Sequence, residues 1–99
     1  MLIRSQDSEI LINTNTLVGI EITKGSVKTT ITSYTTGCTY LLGEYSTKAK
    51  AMKVLDMIQE AYSEYQIMLN FSVSYLHEFK EKTDGFAVFQ MPEDSEVEA

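Results

Sequence analysis

Apolar and polar residues alternate in steps of two along the first half of this chain and in steps of three and four along the second. Leu17 to Thr23 sets Val18, Ile20 and Ile22 on one face and Gly19, Glu21 and Thr23 on the other, the pattern of a strand with one side against a core. Met1 to Arg4 and Ile10 to Ile12 flank Gln6-Asp7-Ser8-Glu9, a polar connection of hairpin length. Lys24-Gly25-Ser26 turns the chain into Val27 to Tyr34, whose threonines suit an edge or a strand with one wet face. Thr35-Thr36-Gly37 turns it again into Cys38 to Leu42. These segments predict an antiparallel meander of about five strands, with order along the chain equal to order in the sheet.

The period changes between Leu41 and Met52. Gly43 lets the chain turn, and Ser46 is placed to cap a helix by accepting an orphan backbone N–H. From Thr47 onward Ala51, Val54, Leu55, Ile58, Ala61, Tyr62 and Tyr65 line one side, with Lys50, Lys53, Asp56, Glu60 and Glu64 mostly outside. No glycine or proline occurs between Glu44 and Asp84, and a seam of Leu55, Ile58, Tyr62, Tyr65, Leu69, Ser72, Leu76 and Phe79 runs on in helical steps. Residues 66–82 therefore read either as a continuation of the helix or, through the alternation of Asn70 to Tyr75, as a strand. Thr83-Asp84-Gly85 ends that region, and Phe86 to Met91 reads as a final strand. The expected class is α+β: the meander packed by one long helix in the second half, whose Leu55, Ile58, Tyr62 stripe meets the Val18, Ile20, Ile22 face.

At 99 residues and 43% hydrophobic content the chain is one domain, placed at residues 1–92, with residues 93–99 an acidic and disordered tail. The formal charge of -6 is concentrated there, in Glu93, Asp94, Glu96 and Glu98, and disfavours attraction to nucleic acid or to anionic lipid. One cysteine permits no internal disulfide, and the first residues lack the basic start and apolar run of a secretory signal. No apolar run approaches the ~18 residues of a membrane span. The expected location is the cytoplasm, without membrane association.

Chemistry-bearing clusters are sparse. His77 is the sole histidine, so neither a histidine triad nor a multi-histidine metal site can be built within one chain. Cys38, with a threonine on each side of its neighbourhood and no nearby cationic residue in sequence, reads as a buried or half-buried strand thiol. Asp56, Glu60 and Glu64 recur every fourth residue and read as a solvated helix face rather than a metal site. The five glycines are isolated from one another and form no phosphate loop. No catalytic residue, metal or cofactor is expected, and the protein is not expected to be an enzyme. One arrangement runs against the helix dipole: Lys48, Lys50 and Lys53 occupy the first turns, where acids are preferred. With Ser46 they make a candidate anion site; the structural alternatives are lysine stems covering the sheet edge, or lysines facing the acids of an antiparallel copy.

Ile3-Arg4-Ser5-Gln6-Asp7, Leu42-Gly43-Glu44-Tyr45-Ser46 with Ala51 to Ile58, and Val88-Phe89-Gln90-Met91-Pro92 resemble an uncharacterised group of short phage and prophage proteins of low-GC Gram-positive bacteria. These blocks cover less than half the chain. The resemblance implies expression in the cytoplasm of a bacterial host and implies no reaction. The function expected is that of a non-enzymatic accessory protein acting by protein–protein contact, with itself as a homo-oligomer or with a host or phage protein. Tyr65, Leu69, Leu76 and Phe79 are the candidate contact surface. The alternatives are an acidic mimic of nucleic acid that inhibits a host protein, and a phosphate- or nucleic-acid-binding module built on the helix start.

Overall fold

The computed structural model describes residues 1–69 and 88–99; in them the period-two half of the chain is strand and the helical period is helix. Strands β1 (Leu2–Arg4), β2 (Leu11–Asn13), β3 (Gly19–Lys24), β4 (Thr29–Thr35) and β5 (Cys38–Tyr45) precede helix α1 (Lys48–Leu69), and β6 (Val88–Gln90) follows. The fold is α+β, as the pattern predicts. The choice between helix and strand for Asn70 to Tyr75, the stop at Thr83-Asp84-Gly85, and Phe86 lie outside the described residues.

The strands divide between two sheets of three, with orders β2-β1-β6 and β3-β4-β5, so chain order and sheet order coincide only in the second. Asn13 to Thr16 cause the break. The Asn13 side chain accepts the Asn15 N–H (3.0 Å), the Thr16 hydroxyl donates to Asn13 O (2.8 Å) and the Thr14 hydroxyl donates to Met1 O (2.8 Å). The chain is wound into a 3-10 turn there instead of passing straight into the next strand. In the first sheet β1 is central, antiparallel to β2 and parallel to β6, and Ile3 lies opposite both Ile12 and Phe89. Ser5 closes the β1–β2 turn: its hydroxyl accepts the Ile10 N–H (3.0 Å) and donates to Asp7 Oδ1 (2.5 Å). Ser8 completes the turn at φ 64°, the left-handed region.

The second sheet is the three-stranded part of the expected meander. Gly37 at φ 87° makes the β4–β5 turn. Thr29, Ile31 and Ser33 of β4 alternate inward beneath α1, which touches β3, β4 and β5. A bulge interrupts β4–β5: Ile31 pairs with Gly43 and Thr32 with Leu41, which leaves Leu42 as the extra residue. The Leu42 carbonyl is taken by the Gln6 N–H at 2.7 Å, so the bulge is where the two sheets join.

Met1, Ile3, Ile12, Ile31, Leu42, Tyr45, Ala51, Val54, Ile58, Met91 and Val97 form the core. Burying a side chain such as Val54 or Ile58 contributes roughly 1.5–3 kcal/mol. Ala51, Val54 and Ile58 are the buried stripe of α1, with Leu55 half-buried and Tyr62 exposed on its flank. Ile20 and Ile22 pack against this core as expected; Val18, 66% exposed, lies before the start of β3 and outside the covered part of the sheet.

Candidate functional site

Thr47, not Ser46, caps α1: its Oγ1 accepts the Lys50 N–H (3.1 Å) and its carbonyl the Ala51 N–H (3.2 Å). Ser46 stands one residue too early for that role and faces the tail instead. Its N–H and its hydroxyl both donate to Asp94 Oδ1, at 2.8 and 3.1 Å. Lys50 Nζ lies 3.5 Å from Asp94 Oδ2 and donates to Asp94 O at 3.0 Å. Lys53 Nζ donates to Glu98 O at 2.6 Å. Lys48 is exposed and makes no ion pair among the described residues. Of the candidate anion-site residues, Ser46 and Lys50 are therefore gathered around an anion that is the chain's own, Asp94, and Lys53 is held by a backbone carbonyl of the same tail.

The backward charge order of α1 has its explanation here. Its first turn holds no acid, and Asp94 arrives from the tail beside it, on the Ser46 N–H just before the cap and against Lys50. The Asp94 carboxyl is held below the ordinary aspartate value, foremost by the Ser46 N–H, which outweighs the opposing desolvation, and after it by the Ser46 hydroxyl and Lys50. Asp94 carries no signal in the sequence beyond its place in an acidic run after Pro92.

The tail expected to be disordered forms a 3-10 turn at Asp94–Glu96, closed by Glu96 N–H to Glu93 O (3.0 Å) and by Glu93 N–H to Glu96 Oε1 (2.9 Å). One apolar residue in the acidic run supplies the reason: Val97 is 4% exposed and belongs to the core. Two lysines of α1 hold the backbone on either side of it. Tyr45 lies buried under this end of the chain and donates to Pro92 O at 2.8 Å. Its phenol is pushed well above the ordinary tyrosine value, first by burial and then by Glu93, Asp94 and Glu96.

Among the described residues, the core-facing side of α1 becomes exposed toward its other end. Ala51 is fully buried and Ile58 is 5% exposed, Tyr65 is half-buried against the core, and Leu69 on the same side is 50% exposed. The structure thus separates the two described members of the candidate contact surface: Tyr65 belongs partly to the core and Leu69 does not. Leu76 and Phe79 lie outside the described residues. Between the middle of α1 and β3 lies an open groove of about 350 Å³, lined by Met1, Leu17, Ile20, Leu55, Ile58 and Tyr62 among others.

The remaining chemistry is simple. Cys38 is exposed, against the expectation of a buried or half-buried thiol, because it follows the Gly37 turn at the tip of the β4–β5 hairpin and Cys38 to Leu41 all lie outside the core. Asp56, Glu60 and Glu64 are exposed on the outer side of α1, and no group of three or more metal-ligating side chains occurs among the described residues. His77 lies outside them. No helix among the described residues is long and apolar enough to cross a membrane. No family model, curated protein or solved structure matches this chain.

Proposed function

We propose that the protein acts by protein–protein contact rather than by catalysis, through the distal face of α1, and that a second copy of the chain is a partner. The observation that carries this reading is the change in exposure along one helix side, from a fully buried Ala51 to a half-exposed Leu69. A 22-residue helix is about 33 Å long, and its last turns continue the core stripe beyond Ile58, the last buried residue of the helix among the described residues. Ile67, 61% exposed on another side, makes those turns apolar around more of their circumference. Aromatic and aliphatic side chains gathered in this way suit a contact surface.

The likeness of three segments to short phage and prophage proteins supports an accessory role in a bacterial host's cytoplasm. Neither alternative gains a comparable observation: Asp94 already occupies Ser46 and Lys50, which takes a carboxylate from an acidic mimic and space from an incoming phosphate. Dilution of isotope-labelled protein followed by amide NMR tests the reading. Shifts that move with concentration at Tyr65, Ile67 and Leu69 are expected; concentration-independent spectra, or shifts confined to the sheets, would overturn it.

A further inference from the structure

Up to Pro92 the chain is fixed into the two sheets. Met91 N–H donates to Arg4 O (3.0 Å), and the Pro92 carbonyl accepts from both Tyr45 Oη (2.8 Å) and Gln6 Nε2 (3.1 Å). From Glu93 onward the pattern changes. Among the described residues, the backbone-to-backbone bonds of this segment stay within it, from Glu96 N–H to Glu93 O and from Val97 N–H to Asp94 O. Its attachments to the rest of the molecule run through side chains: Asp94 on Ser46 and Lys50, Lys53 on Glu98 O, and the buried Val97. No strand ladder has to break for this segment to leave.

We propose that residues 93–99 are a releasable strap, which opens as a unit while both sheets and α1 stay folded, with Asp94 as its catch. Closed, the strap places a carboxylate on the Ser46 N–H and engages the Lys50 and Lys53 ammonium groups of α1. Open, it releases the Ser46 N–H and the Lys50 and Lys53 ammonium groups, beside an already exposed Lys48, and it exposes Val97 and the apolar surface that Val97 covered. The strap thus acts as an internal competitor for any acidic group approaching the start of the helix. It involves the opposite end of α1 from the contact surface and stands or falls independently of that reading.

Native-state amide exchange on the full chain tests the strap. The Glu96 and Val97 amides, both bonded within the strap, should exchange on the order of 100-fold faster than the Ile31 amide in the middle of β4, because they need only a local opening. Asp94→Asn should speed Glu96 and Val97 by about 5- to 30-fold, as loss of a charge-assisted hydrogen bond does, and leave Ile31 unchanged. Lys50→Met, which keeps the stem and removes the ammonium, should act in the same direction and serves if Asp94→Asn does not fold. Exchange of Glu96 and Val97 at the Ile31 rate in the unaltered protein would overturn the proposal. So would variants that leave the strap amides unchanged, or that speed strap and Ile31 in parallel.

Discussion

The Gln6 side chain pairs with the Glu44 backbone as a neighbouring strand would, accepting the Glu44 N–H at 3.0 Å and donating to the Glu44 carbonyl at 3.2 Å. Its own N–H takes the Leu42 carbonyl at the bulge, and its amide reaches on to Pro92 O. One residue of the β1–β2 turn thereby covers the exposed edge of β5 and links both sheets to the strand that returns after the helix. A bulged edge leaves backbone groups without ladder partners, and Gln6 supplies them.

Gln6→Ala should cost about 1–3 kcal/mol in urea melts, because it strips partly buried backbone groups of their partners. Gln6→Glu should be worse than alanine at neutral pH, since a carboxylate would face the Glu44 and Pro92 carbonyls where an amide now donates. Part of that loss should return on acidification.

The buried stripe of α1 predicts a contrast between neighbours. Ile58→Ala, at 5% exposure, should cost about 2–5 kcal/mol, whereas Leu55→Ala on the flank of the groove should cost clearly less. Equal losses in denaturant melts would mean that Leu55 carries more of the core than its partial exposure indicates.

Ser8 holds φ 64° without the freedom of glycine. Ser8→Gly should raise stability by roughly 1 kcal/mol by removing the left-handed penalty, provided the Ser5 and Asp7 bonds that shape the turn persist. An unchanged or lowered melting temperature would show that the turn is not strained.

Two groups set opposite limits on pH stability. The Asp94 carboxyl is held below its ordinary value of 3.8, so its contribution is present above that value and is lost as pH falls through the folded one. The difference in melting temperature between unaltered protein and Asp94→Asn should be flat above about pH 5 and shrink at lower pH. Tyr45 is shifted upward, so folding favours the neutral phenol, and its contribution is present below 10.0 and lost as pH rises beyond it. Tyr45→Phe should cost about 1 kcal/mol at neutral pH for the lost bond to Pro92 O and should flatten the alkaline fall.

Much of the fold was legible in local pattern. The alternation of Ile20 and Ile22, the turn at Gly37 and the spacing of Ala51, Val54 and Ile58 each report on neighbours a few residues away, and the structure places them accordingly. What was not legible depends on partners distant in sequence. Ser46 and Thr47 are both good capping residues, and the choice fell to Thr47 because Asp94, 48 positions beyond Ser46, claims the serine. The division into two sheets follows from side-chain bonds in Asn13 to Thr16 that no hydrophobic period records. Val97 was hidden because charge dominates the composition of its surroundings. Gln6 carried no signal at all, since an amide in a polar turn ordinarily faces water.

Sedimentation of the unaltered protein and of Leu69→Asp, up to high micromolar concentration, tests the contact reading most directly. The expected result is a concentration-dependent dimer or larger assembly for the unaltered chain, abolished by Leu69→Asp without loss of melting temperature, because Leu69 is half exposed. A strict monomer over the whole range, or an assembly that Leu69→Asp leaves intact, would contradict self-association through the distal end of α1.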